Sequence, residues 1–222
     1  MPTSRHERAL RRAGYSAIAG VDEAGRGALF GPVFAAAVVL DPQKPIRGLD
    51  DSKALEPERR QVLAARIRER ACAWAVGAAD AFEIDRWNIL EAARLAMRRA
   101  VERLPLCDYL LIDAIKIEVA LPQRPLIHGD SLSFSIAAAS ILAKVARDAA
   151  LSAWDDVFPG YGLDHNKGYA TPDHRAALDR LGPTALHRFS FEPVREACHE
   201  SGRHHNWTGY PIPQQGELFA CP

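Results

Sequence analysis

Apolar residues are concentrated in short runs set apart by polar turns. Residues 16–21 (SAIAGV) form one run and residues 33–40 (VFAAAVVL) a second. Runs this short and continuously apolar predict strands buried on both faces. Residues 56–71 have helical spacing of charged and apolar positions with Pro57 near the first turn, and residues 73–79 (AWAVGAA) predict another strand. Between 85 and 104, Ile89, Leu90, Ala93, Met97, Ala100, Val101 and Leu104 recur at three- and four-residue steps. That spacing predicts a single amphipathic helix, with Arg94, Arg98, Arg99 and Arg103 on a solvated face. Residues 109–112 (YLLI) predict a strand ending in Asp113, residues 125–128 a short strand ending near Asp130, and residues 131–154 a long helix rich in small side chains. Thr171 as N-cap and Pro172 at the first helical position predict a further helix.

Strands alternating with helices define an α/β architecture. The pattern divides the chain into a short N-terminal extension (1–14), one domain (15–195) and a tail (196–222). In the tail Gly, His, Pro and Gln replace the aliphatic periodicity, which predicts a flexible segment without a core. Composition agrees with one globular domain: of 222 residues 48% are hydrophobic and 25% charged, which excludes disorder throughout. Lys plus Arg and Asp plus Glu number 28 each, so any polyanionic partner must be met by a local patch. Cys72, Cys107, Cys198 and Cys221 show no metal-ligand spacing, and reduced thiols are the default. No signal peptide is evident, and no run approaches the ~18 apolar residues that span a bilayer. A cytoplasmic location is expected.

The candidate chemistry begins at GVDEAGRGALFGPV, where two adjacent carboxylates leave a buried strand and meet a glycine-rich turn. Gly25, Gly27 and Gly31 loosely resemble a dinucleotide fingerprint. That reading needs a helix opening at the glycines, whereas VFAAAVVL is strand-like, and Asp22 and Glu23 would repel a pyrophosphate. The alternative is metal binding. Asp22, Asp113 and Asp130 each follow an apolar strand, and an α/β sheet could bring such strand ends together. Converging carboxylates select hard divalent cations such as Mg²⁺, and such a cluster is typical of phosphoryl transfer.

The chain also resembles the type 2 ribonuclease H family, the bacterial ribonuclease HII enzymes. The resemblance lies in GVDEAGRGALFGPV, LDDSKAL, EIDRWNILEAARLAM, LLIDA, HGDSLSFSIAAASILAKVARD, HNKGYATPDH and HRFSFEPV, which together cover most of residues 15–195. It implies a ribonuclease H-like fold: a mixed five-stranded sheet flanked by helices, with a C-terminal helical part over the substrate. The implied activity is metal-dependent endonucleolytic cleavage of the RNA strand of RNA–DNA hybrids, and of single ribonucleotides embedded in duplex DNA, leaving 5′-phosphate and 3′-hydroxyl ends. By motif, Asp22, Glu23, Asp113 and Asp130 form the acidic quartet that holds two Mg²⁺ or Mn²⁺ ions.

Gly25, Arg26 and Gly27 match the family's sensor of the ribose 2′-hydroxyl, the group that separates RNA from DNA. Tyr169 matches the tyrosine that stacks on the sugar at the junction, and Lys53, Lys144 and Lys167 are candidate phosphate contacts. Two positions depart from the family pattern: Ala114 stands where glycine is frequent, and Ala170 where proline or glycine is frequent. Type 3 ribonuclease H shares the fold but carries an extra N-terminal domain, and a duplex-binding module with a vestigial site is disfavoured by the complete quartet. In the tail, Gln215, Leu218 and Phe219 of QGELF resemble the motif that docks bacterial proteins on the sliding clamp.

Overall fold

The computed structural model describes residues 2–200. Five strands, β1 (Ile18–Ala24), β2 (Val33–Val39), β3 (Ala73–Ala79), β4 (Tyr109–Asp113) and β5 (Gln123–Leu126), form one mixed sheet in the order β3-β2-β1-β4-β5. β1 runs antiparallel to β2 and parallel to β4; β2 and β3 are antiparallel, and β4 and β5 parallel. The expected mixed five-stranded sheet is therefore present.

Alternation along β1 explains how the sheet is covered. Ala19 and Val21 pack with Met97 and Ala93 of α4 (Ile89–Glu102) on one face. Ile18 packs with Ile136 of α5 (Phe134–Val157) on the other face, where α2 (Pro57–Arg70) also lies against α5. Both faces of the central strands are buried, which is why β1, β2 and β4 read as unbroken apolar runs, whereas the edge strand β3 leaves Trp74 exposed. At Gly20 the approach of β1 to α5 is so close that a Cβ would sit 2.0 Å from the main-chain carbon of Ser135. Beyond the sheet, α6 (Leu163–Asn166), α7 (Pro172–Leu181) and α8 (Glu192–Glu200) form a small C-terminal lobe around Leu151, Tyr161, Leu163 and Leu178.

Four expectations are corrected. The helix predicted over 85–104 is two, α3 (Ala81–Trp87) and α4, broken at Asn88, whose φ of 76° lies in the left-handed region while its side chain caps α4 by accepting from the Leu90 and Glu91 N–H groups. An Asp80/Glu83 capping box starts α3 earlier than expected. Arg99, placed on the solvated face, instead makes a bidentate pair with Glu83, both bonds 2.7 Å. The long helix starts at Phe134, since Gly129–Ser131 form a single 3₁₀ turn and Ser133 is the N-cap.

Neither terminal boundary is a break in packing. The extension holds α1 (Arg5–Arg12), whose buried Glu7 accepts from Ser133 Oγ at 2.7 Å and the Ser135 N–H at 2.9 Å, closing the start of α5. At the other end, α8 runs through the boundary drawn at 195, and Ala197 is only 3% exposed. The QGELF segment lies outside the described residues.

Replacing Gly20 with alanine should cost about 3 kcal/mol or more, because the added carbon meets main chain that cannot rotate away. Chemical denaturation of G20A checks this; a loss under about 1 kcal/mol would mean that β1 and α5 can separate freely.

Candidate active site

The alternation that turns Ile18 and Gly20 toward α5 also turns Asp22, the last buried residue of β1, toward that helix, where Ser140, whose hydroxyl donates to Ser52 Oγ at 2.8 Å, lines the same cleft. The Glu23 N–H donates to Asp22 Oδ1 at 2.7 Å. Val21 pairs with Ile112 across the parallel β1/β4 contact, so Asp22 and Asp113 follow side by side. Asp113 Oδ1 accepts from the Gly129 N–H at 2.7 Å, which fastens the end of β4 to the 3₁₀ turn carrying Asp130. Asp130 in turn accepts from the Ser131 N–H at 2.8 Å. Just after Asp113, Ala114 has a φ of 54°, so this departure from glycine occupies the backbone region that glycine fills with least strain.

All four acids line one cleft, which Gly25, Arg26, Gly27, Lys53, Lys144 and Tyr169 share. Their charges work against one another. Burial, with Glu23 and Asp113 adding repulsion, holds Asp22 well above the usual carboxylate range. Burial likewise raises Glu23, against the pull of Arg26, whose Nη1 lies 3.3 Å away. Asp130 is raised by burial and then by Asp51 and Asp113, with Lys53 opposing. An array of oxygen donors that resist ionisation together is chemically suited to a hard divalent cation. Among the described residues, however, no three histidine, cysteine, aspartate or glutamate side chains already form a closed ligand group. The acids thus fit such an ion by charge and donor type.

The turn at residues 25–27, which follows β1 directly, also lines the cleft. Gly25 has a φ of 94°, and a Cβ there would fall 2.0 Å from Arg147 Nε. A Cβ on Gly27 would meet nothing, so its main chain is left bare. Two buried arginines support this turn. Arg188 donates from Nε to the Gly31 carbonyl at 2.9 Å and from Nη1 to the Arg26 carbonyl at 2.8 Å. Burial and the neighbouring Arg147 push its guanidinium down to about 9, which still leaves it charged at neutral pH. Arg147 donates to the Lys167 carbonyl at 2.7 Å and stacks on the Tyr169 ring, with its guanidinium carbon 5.0 Å from the centroid. Tyr169 is 37% exposed, an open ring on a fixed base.

The lysines separate. Lys53 and Lys144 reach the cleft, Lys144 pairing with Asp148 at 2.7 Å, whereas the Lys167 amine is held away by Asp164 and Ser152 at 3.0 and 2.8 Å. Sequence reading missed Ser52, Arg60 and Ser140, all of which line the cleft, and the supporting Arg147. Helical spacing held a signal for two of these: 140, 144 and 147 fall on one face of α5. The dinucleotide reading is excluded, since strand β2, not a helix, follows the glycines.

This arrangement, a mixed sheet with acids gathered at the ends of its central strands, is that of the ribonuclease H-like nucleases. It resembles the ribonuclease H2 of Pyrococcus horikoshii OT3 (TM-score 0.70, 24% identity, covering 84% of this chain and 98% of that one). It also resembles Bst-RNase HIII in complex with Mn²⁺ (TM-score 0.71, 22% identity, 88% and 73%) and the Archaeoglobus fulgidus ribonuclease HII in its PCNA complex (TM-score 0.68, 24% identity, 80% and 96%). The Ribonuclease HII family model matches residues 19–194. The ribonuclease HII of Solibacter usitatus is 63% identical over 190 residues, 85% of this chain and 83% of that protein. That of Moorella thermoacetica is 57% identical over 188 residues, 84% and 91%. The chain belongs to the ribonuclease HII family.

A carboxyl whose folded pKa is raised stabilises the protein below its unfolded pKa of about 3.9 and ceases to as pH climbs through the folded value. Metal-free protein should therefore lose stability as pH rises above about 4 on account of Asp22, and Asp22→Asn should lose less of it. At pH 7 the metal-free variant should melt no lower than metal-free wild type by calorimetry; a clearly lower melting temperature would mean that the charged carboxylate holds the fold together.

Proposed function

We propose that this ribonuclease H cuts the RNA strand of RNA–DNA hybrids, and single ribonucleotides embedded in duplex DNA, at the cleft formed by Asp22, Glu23, Asp113 and Asp130. One observation carries the reading. A strand-end pair of acids, a third acid on the neighbouring parallel strand and a fourth on the turn tied to it share a cleft with a bare glycine turn and an open tyrosine ring. Family membership makes the chain an endoribonuclease of hybrids that depends on divalent metal.

Asp22, Glu23, Asp113 and Asp130 would hold two Mg²⁺ or Mn²⁺ ions. When bound, such a pair supplies a water activated for in-line attack on phosphorus and stabilises the leaving 3′ oxygen. The protein's own groups do the rest. The main chain of Gly25, Arg26 and Gly27 approaches the ribose closely enough to sense its 2′-hydroxyl, since Gly27 interposes no side chain. The Tyr169 ring packs on the adjoining deoxyribose, which lacks that hydroxyl. Lys53 and Lys144 receive backbone phosphates. Lys167 serves through its carbonyl, the acceptor that fixes Arg147 beneath Tyr169. The products carry 5′-phosphate and 3′-hydroxyl ends.

A labelled duplex with one embedded ribonucleotide should be cut beside that residue with Mg²⁺ or Mn²⁺ and left whole in chelator. Asp113→Asn should lose about 100-fold or more in rate, since the amide keeps the oxygen that accepts from the Gly129 N–H but loses the charge that would hold the ions. Near-normal turnover of D113N at saturating Mg²⁺ would reject the site.

The same proposal covers the tail and a cytoplasmic location. Among the described residues no helix is long and apolar enough to cross a membrane. The Archaeoglobus protein forms a complex with PCNA, a precedent for clamp binding within the fold. A peptide of residues 212–222 should bind the bacterial sliding clamp in the micromolar range, about −8 kcal/mol, with Gln215 supplying hydrogen bonds and Leu218 and Phe219 an apolar anchor. Calorimetry checks it: Leu218→Ala with Phe219→Ala should abolish binding while cleavage of free oligonucleotides continues.

A further inference from the structure

The C-terminal lobe holds two fully buried histidines that no step above uses, His174 on α7 and His187 beyond its end. Their Nε2 atoms lie 3.2 Å apart. The neighbours of the pair dictate where its protons sit. The Thr184 N–H donates to His187 Nδ1 at 2.9 Å, so Nδ1 carries the lone pair and the proton is on Nε2. That proton can only be accepted by His174 Nε2, which places the His174 proton on Nδ1, 2.9 Å from the Tyr169 carbonyl. The result is one directional chain, from the Thr184 N–H through both rings to the main chain of Tyr169. It requires both rings to be neutral. Burial keeps them so, lowering His174 and pushing His187 down to about 3 with His174 adding to the effect.

The two ends of this chain flank the same segment, residues 28–31, which continues from the glycine turn. On one edge the Leu29 N–H donates to the Gly168 carbonyl at 2.7 Å, and Ala28 pairs with Tyr169. On the other, the Arg188 N–H donates to the Leu29 carbonyl and the Gly31 N–H to the Leu186 carbonyl, both at 2.8 Å, and Phe30 pairs with His187. The His187 ring also meets the Phe30 ring edge to face, centroids 4.9 Å apart. The histidines thus tie together the two walls that grip the segment leading from the turn.

We propose that His174 and His187 are positioning residues that fix Tyr169 against the turn at residues 25–27, and through it set the preference for a single ribonucleotide flanked by deoxyribonucleotides. The inference rests on the reading of Tyr169 as a sugar contact. A long hybrid offers many registers and depends little on the junction, so the fixed height of one ring should matter most for the isolated ribonucleotide.

The test is the ratio of kcat/KM on a duplex with one embedded ribonucleotide to kcat/KM on a long RNA–DNA hybrid. Tyr169→Ala should lower it, and His187→Phe and His174→Leu should each lower it about fivefold, the worth of one hydrogen bond. His174→Asn, whose amide can still donate to the Tyr169 carbonyl, should recover most of the ratio. H187F should add nothing in a Y169A background, as expected of groups acting through one residue. A purely structural role would lower both kcat/KM values together and leave the ratio alone. Nitrogen-15 spectra of the wild-type protein should show protonated Nδ1 in His174 and protonated Nε2 in His187, a readout that needs no variant to fold. A ratio unchanged in H187F and H174L but lowered in Y169A overturns the positioning role. The opposite tautomers, or an imidazolium at neutral pH, overturn the relay. A ratio unchanged in Y169A overturns instead the reading of Tyr169, with the nitrogen spectra still deciding the relay.

Discussion

The close contact of β1 with α5 at Gly20 is the constraint from which the site follows. With no side chain between them, strand and helix approach to backbone distance. Two residues further along the strand, Asp22 then meets Ser140 on the same helix face, and continuing along that face come Lys144 and Arg147. One helix therefore presents, in order, a hydroxyl in the cleft of the buried acid, a cation for that cleft and a support for the glycine turn. Moving α5 outward by the width of a methyl group would uncouple all three.

Opposed to that close packing stands the electrostatic cost of the acids. Four carboxylates share a cleft, and those whose ionisation shifts are all shifted upward. Two cations offset this without neutralising it, Arg26 beside Glu23 and Lys53 toward Asp130, while Lys144 and Arg60 in the same cleft are paired with Asp148. The chain's zero net charge conceals this local order, in which a negative floor is rimmed by positive groups. Such a rim suits a polyanion that must approach acids.

Much of this was legible in the sequence because the central strands bury both faces, so SAIAGV, VFAAAVVL and YLLI stand out as unbroken apolar runs, with an acid of the cleft just beyond the first and the third. The acids, the glycine turn and Tyr169 sit in motifs specific enough to read directly. What escaped detection depends on pairs far apart in the chain. At Asn88 the residue type, apt for a left-handed conformation and for capping, was outweighed by apolar spacing that continues across it, so the division of the helix was not read. Lys167 reads as a phosphate ligand until Asp164, three residues before it, claims its amine. Arg147 and Arg188 look like surface arginines because their acceptors are carbonyls, which carry no residue identity. Glu7 was invisible because its two donors, Ser133 and Ser135 at the start of α5, lie more than a hundred residues away.

That separation has a consequence for how the enzyme comes into being. Glu7 closes the start of α5 across 126 positions, and Arg188 reaches the Gly31 carbonyl across 157. A chain growing from the ribosome exposes Asp22 and Glu23 early, when neither the helix that buries them nor the arginines behind their turn yet exist. Contacts of such range form late and slowly, because loop closure must precede any gain from them. The turn that borders the cleft thus gains its last main-chain support only once Arg188, near the end of the described residues, has been made.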